Sequence, residues 1–159
     1  MGQVSDEKWR GSVSSEARRA TADQIWSLYK DFFNFHRWFP TLAECSGVHG
    51  VNGEVGCVRH CSGSSLPNGS GVEDSWSKER LVAVNEEERT LRYEIVDGNI
   101  GFRSYVATVK VAARGDGCVV EWGFEVAPVA GLSLEELVQK YEKGLRATVR
   151  KMEDDVADG

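Results

Sequence analysis

Three residues in the middle of the chain have the types and the spacing for proton chemistry. Arg59, Glu79 and Tyr105 each stand in a run of period two, and their neighbours two positions away are small or apolar. Cys57 and Cys61 flank Arg59, Ser77 and Leu81 flank Glu79, and Ala107 and Val109 follow Tyr105. Residues two apart on a strand share a face, so if those faces turn inward the three side chains meet in an apolar enclosure. An inward glutamate is costly unless paired, and an inward arginine supplies the pair. Burial pulls a carboxyl towards its neutral form while a cation pulls it towards the charged one, the balance that a proton-relaying group requires. Periodicity leaves a second reading equally open, in which Arg59 and Glu79 form an exposed cross-strand pair. The inward reading carries a cost, since it places Trp76 with Lys78 and Arg80 on the outer face.

The remaining reactive side chains offer less. Cys57, His60 and Cys61 have a metal-like spacing, but on a strand His60 points away from both cysteines. The cysteines are expected to be free and packed as small apolar groups, and no metal or cofactor is expected. His36 and His49 lack any partner pattern and read as surface or satisfied core residues. Asn68-Gly69-Ser70 has the form of a glycosylation acceptor, which only a secreted chain would use. No glycine-rich phosphate loop, nucleophile elbow or zinc signature occurs.

At 159 residues without a shift of composition, one domain over 1–159 is expected, with 1–6 and 154–159 frayed. The net charge of −6 and scattered basic residues argue against nucleic acid as a partner. No run approaches the roughly 18 apolar residues of a membrane span. The opening 1–10 is polar and lacks an apolar signal region, so a cytoplasmic location is expected. Met1-Gly2 fits a myristoylation signal except that Asp6 stands where a Ser or Thr is wanted.

What positions the candidate residues is a sheet and a long helix. Ser133 and Glu136 form a capping box before Leu134, Leu137, Val138, Tyr141, Leu145, Val149 and Met152, which recur at steps of three and four. This predicts a helix over 132–152, about 30 Å long. Gly144 on its apolar stripe implies that something approaches closely there. The period changes to two between 44 and 127, with strands predicted over 43–49, 56–62, 72–84, 89–96, 102–112 and 118–126. A strand over 9–15 precedes them. Thr21 and Gln24 open an aromatic helical run that should break near Asn34 and end by Phe39, ahead of Pro40. Two short helices result. The segment 62–71 is too long for a tight hairpin and is expected to overhang something. The fold class is therefore α+β: a seven-stranded curved antiparallel sheet wrapped around a long C-terminal helix. A straight helix and a curved sheet separate somewhere, so an internal hydrophobic cavity is expected between them.

The order of elements and several local words resemble the plant START-like helix-grip superfamily, the polyketide cyclase/dehydrase and lipid transport proteins. The words are Trp9-Arg10-Gly11-Ser12-Val13, the segment 24–40 with Lys30-Asp31-Phe32 and Asn34-Phe35-His36, and Val55-Gly56-Cys57-Val58-Arg59. Further on come Trp76-Ser77-Lys78-Glu79-Arg80-Leu81-Val82-Ala83 and Tyr105-Val106-Ala107-Thr108. Within the superfamily they are most similar to lachrymatory factor synthase and its plant relatives. There an Arg, a Glu and a Tyr turn an alkenyl sulfenic acid into a thial S-oxide, and those residues fall on Arg59, Glu79 and Tyr105. The resemblance implies that all three face the cavity, the guanidinium holding the sulfenate oxygen and the carboxylate relaying the proton to carbon. It also implies ligand-binding roles for Leu66, Tyr93, Phe102 and Tyr141. The abscisic acid receptors belong to the same superfamily, and Ser65-Leu66-Pro67 is similar to their gate loop. Their hormone-binding lysine falls on Ala43, however, and their latch His-Arg-Leu on Ile100-Gly101-Phe102.

The expectation is thus a monomer that binds a small hydrophobic or sulfur-containing metabolite. The alternative is the sulfenic acid isomerase, and hormone sensing is the weaker reading. A further option, an interaction protein acting through the acidic tail 153–158, rests on that tail alone.

Overall fold

In the computed structural model, residues 7–63 and 75–158 are described. The order is β1 (Trp9–Ala17), α1 (Ala22–Lys30), a 3₁₀ helix (Phe32–Arg37), β2 (Leu42–His49), β3 (Val58–Gly63), β4 (Ser75–Asn85), β5 (Thr90–Gly98), β6 (Val106–Arg114), β7 (Gly117–Val126) and α2 (Leu134–Asp158). All seven strands join one antiparallel sheet in the order β1-β7-β6-β5-β4-β3-β2. The strands adjacent in sequence from β2 to β7 are therefore hairpin neighbours, and β1 closes the far edge against β7.

Both helix starts form as their sequences require. Thr21 N–H donates to Gln24 Oε1 at 2.9 Å and Gln24 N–H to Thr21 Oγ1 at 3.2 Å. Ser133 and Glu136 exchange the same two bonds at 2.9 and 3.1 Å. Each box satisfies donors that a helix start otherwise leaves open. Helix α1 stops at Asp31, and the 3₁₀ helix that follows has a non-helical residue at Asn34.

Leu137, Leu145, Val149 and Met152 of α2 are buried, and Tyr141 lies against Trp122 and Phe124 of β7. At Gly144 a Cβ would stand 3.3 Å from the Phe39 ring, so this glycine lets the segment after the 3₁₀ helix close on α2. At Gly47 a side chain would run into the Phe33 ring, which is how the 3₁₀ helix seats on β2.

Two expectations are corrected. The helix predicted to end at 152 runs to Asp158, because its acidic end has tertiary partners. Arg19 N–H donates to Glu153 Oε2 at 2.9 Å, Arg19 Nη2 to Asp154 at 2.8 Å, and Trp38 Nε1 to Asp155 at 2.9 Å. Arg19 and Arg37 offset the unfavourable placing of carboxylates at a helix C-terminus. Second, the strand predicted over 102–112 begins only at Val106. Gly101 and Ser104 adopt φ of 81° and 55°, left-handed values that no strand accommodates. Among the described residues, no helix is long and apolar enough to cross a membrane.

Candidate functional site

Arg59 of β3 stands opposite Glu79 of β4 in register. Arg59 is 3% exposed, and its Nε and Nη2 reach the same oxygen, Glu79 Oε1, at 2.8 and 2.7 Å. Its Nη1 donates to the Phe32 carbonyl at 2.9 Å. The guanidinium carbon lies 3.7 Å from the Phe32 ring centre, 4.9 Å from Tyr93 and 5.1 Å from Phe35, an aromatic enclosure that favours a cation. The other carboxylate oxygen of Glu79 accepts from the Ser77 hydroxyl at 3.0 Å. An exposed pair is excluded by this burial.

Local strand geometry aims the pair. The β4–β5 register shifts between Lys78 and Glu79 and again between Leu81 and Ala83. Such bulges bend a strand and re-aim side chains beside sites. On the other face His60 and Trp76 stack with centroids 5.4 Å apart, which gives the outward tryptophan a partner. His60 consequently points away from Cys57 and Cys61, as strand alternation requires.

Arg59, Glu79 and Ser77 together line a cavity of about 440 Å³ between the sheet, α1, the 3₁₀ segment and α2. Tyr93, Phe102, Tyr105 and Tyr141 line it as well, as do Phe35, Phe39, Ile95 and Trp122. The cavity thus collects six of the seven sequence-assigned residues. The seventh, Leu66, lies outside the described residues, as do the Ser65-Leu66-Pro67 segment and Asn68. Tyr105 reaches the cavity from just before β6 rather than from mid-strand, stacked on Phe102 with centroids 5.1 Å apart. No hydrogen bond among the described residues ties its hydroxyl to Arg59 or Glu79.

The electrostatics separate the groups into a closed pair and a set of neutral hydroxyls. Burial works against the Arg59 charge, but adjacent Glu79, together with smaller contributions from Cys61, Tyr93 and Cys45, outweighs it and holds the guanidinium above its ordinary range. Burial pushes Tyr93, Tyr105 and Tyr141 up, with smaller upward contributions from neighbouring groups such as Glu79 and Tyr93. These tyrosines are therefore protonated donors over the physiological range. Burial likewise pushes Tyr29 up, and its fully enclosed hydroxyl has no hydrogen-bond partner among the described residues.

Several lining residues escaped sequence reasoning. Ser77 had a signal, since it shares a face with Glu79. The Phe32 carbonyl had none, because a backbone group acquires a role only when the chain folds over it. Lys140 and Lys143, which lie outside the apolar stripe of α2, border the cavity. The cysteines also pair unexpectedly: Cys45, half-buried, has its sulfur 2.9 Å from that of buried Cys61.

The family model described as polyketide cyclase / dehydrase and lipid transport matches residues 8–153. Among curated proteins, the abscisic acid receptor PYL2 of Arabidopsis thaliana is 29% identical over 100 residues, 63% of this chain and 50% of the receptor. The receptor PYL7 of the same plant is 28% identical over 102 residues, 63% of this chain and 44% of that receptor. The chain thus spans about half the length of the curated relatives it matches. Among solved structures, ginseng major latex-like protein 151 from Panax ginseng superposes with a TM-score of 0.75 at 21% identity, over 93% of this chain and 97% of its own. XoxI from Bacillus cereus does so with a TM-score of 0.70 at 22% identity, over 94% and 96%. At these identities the two structures establish a common fold.

Proposed function

Since the chain belongs to the polyketide cyclase / dehydrase and lipid transport family, we propose that it binds a small hydrophobic metabolite in the cavity and orients it at the Arg59–Glu79 end. The observation that carries the reading is the cavity itself, about 440 Å³ with aromatic walls and one internally neutralised polar cluster. Apolar walls supply affinity, and a few convergent polar groups supply orientation. Because Glu79 already balances Arg59, this end favours a neutral polar group such as a carbonyl, hydroxyl or sulfoxide over a free carboxylate. Tyr93, Tyr105, Phe102 and Tyr141 shape the pocket around the ligand body. Monomeric state, plant origin and a cytoplasmic location belong to the same proposal.

Titration with the neutral apolar dye N-phenyl-naphthylamine tests it. Fluorescence enhancement is expected in the native protein and should vanish in Ala147→Trp, whose side chain fills the cavity from α2. Equal enhancement in a folded Ala147→Trp variant would place the dye elsewhere and remove the support.

A second reading, a lachrymatory-factor-synthase-like isomerase, is favoured by one observation: the paired Arg59 and Glu79 share the cavity with Tyr105. Of the five guanidinium N–H groups, three are engaged by described residues, and the others would hold a sulfenate oxygen. Glu79 would take the sulfenic O–H proton and return it to the terminal alkene carbon, forming the thial S-oxide with no net change in composition. Protein supplied with alliinase and an alkenyl cysteine sulfoxide should then yield thial S-oxide, and Glu79→Gln should lose that product. Full turnover by Glu79→Gln would end this reading.

Hormone sensing draws on the receptor matches. It is the weakest of the three, since exposed Ala43 stands where the resemblance places the receptors' carboxylate-binding lysine.

A further inference from the structure

Close to the buried pair, two of the four free cysteines face each other across the edge of the sheet. Cys45 of β2 and Cys61 of β3 are register partners, so strand alternation sends both side chains to one face. Their sulfurs are 2.9 Å apart. Directly opposed Cα atoms of antiparallel strands lie about 4.5–5.5 Å apart, inside the roughly 4.4–6.8 Å that disulfides span. Bond formation therefore requires the sulfurs to close by only about 0.9 Å, within reach of side-chain rotation and a slight strand shift.

The two thiols are unequal. Cys61 is 1% exposed, whereas Cys45 is half-buried and is the sulfur that a solute meets first. The sulfur–sulfur hydrogen bond between them holds Cys45 below the ordinary thiol range; burial opposes this, and Arg59 and the His36 N–H help. That same hydrogen bond, together with burial, pushes Cys61 up. A partly accessible, activated thiol backed by a protonated one is the arrangement in which the first reacts and the second resolves.

We propose that Cys45 and Cys61 are a hydroperoxide-sensitive pair that closes to a reversible intramolecular disulfide. The Cys45 thiolate attacks the O–O bond of the hydroperoxide, which breaks to release water or an alcohol once protonated and leaves a sulfenic acid on Cys45. The Cys61 sulfur then attacks the Cys45 sulfur, and the sulfenic oxygen departs as water with the Cys61 proton. Two thiols and one hydroperoxide thus become a disulfide, one water and one alcohol, or two waters when the oxidant is hydrogen peroxide. An external dithiol restores both thiols by exchange. Closure pins edge strand β2, whose first residue Leu42 borders the cavity with the preceding Thr41, to the strand that carries Arg59. The step needs no cavity ligand, so it stands apart from the reading above.

The test is an intact-mass measurement on the reduced full-length protein. After brief hydrogen peroxide, denaturation and labelling with N-ethylmaleimide, two adducts are expected in place of four, with four restored by dithiothreitol. Peptide mapping should join Cys45 to Cys61. Cys45→Ser should lose the cross-link, and Cys61→Ser should leave a sulfenic acid that dimedone captures at position 45. Four adducts after peroxide that fully oxidises dithiothreitol alone would overturn the assignment. So would a cross-link through Cys57 or Cys118, or one confined to joined chains.

Discussion

Strands β3, β4 and β5 carry two arginine–glutamate pairs of identical chemistry on opposite faces. Arg59 and Glu79 point inward, with side chains 4% and 14% exposed, and make close contacts of 2.7 and 2.8 Å. Arg80 and Glu94 point outward at 48% and 34% exposure, with a single contact of 3.2 Å. Only one position along β4 separates Glu79 from Arg80. Water and salt screen the outer pair and could replace either partner, so its presence is worth little. Inside, among the described residues, each charge makes its ion pair with the other, and each holds the other in place. Which way a strand residue faces, rather than its type, decides whether an ion pair is decoration or architecture.

The strongest way to break this contrast is Arg59→Leu, which leaves Glu79 in an aromatic cavity without its cation. A loss of about 3–5 kcal/mol in urea unfolding is expected; a loss under about 1 kcal/mol would erase the distinction between the faces. The double variant Arg59→Leu with Glu79→Leu removes both charges, so most of that loss should return, to within about 2 kcal/mol of the parent. No recovery in the double variant would mean that shape, not charge, governs the site. A smaller effect sharpens the comparison between partnered and orphaned buried groups. Tyr29→Phe deletes an enclosed hydroxyl that has no partner among the described residues, and should stabilise by about 1 kcal/mol, read as a higher unfolding midpoint. Lower stability in that variant would reveal a partner for the hydroxyl. Least of all, Arg80→Ala on the outer face should change stability by no more than about 1 kcal/mol, and added salt should shrink even that.

Much of the fold was legible because its signals are local. Two capping boxes mark the starts of α1 and α2, and Gly144 marks the approach of Phe39. Glycine-rich and charged turns separate strands whose burial alternates, as in β7 with Val120, Trp122, Phe124 and Val126 turned inward. The site was legible in its composition but not in its connections. Tyr105 belongs to the cavity, yet left-handed Ser104 takes it off the strand. Acidic residues after Met152 read as a fraying tail until Arg19, Arg37 and Trp38 come round to hold them.

By itself the sequence determined the elements, their order and which residues share a strand face, because backbone periodicity and capping depend on neighbours within a few positions. It left the facing of Arg59 and Glu79 open, since alternation says which residues go together and not which side the core lies on. Tertiary structure made that choice by laying α1, the 3₁₀ segment and α2 over one face, which turned a possible surface pair into a buried one. It also supplied what no spacing encodes: the Phe32 carbonyl on Arg59, the Cys45 sulfur against Cys61, and the Tyr29 hydroxyl left without a partner among the described residues. The first two are meetings of residues 27 and 16 positions apart, whose distance is set by how elements pack and not by how any of them forms.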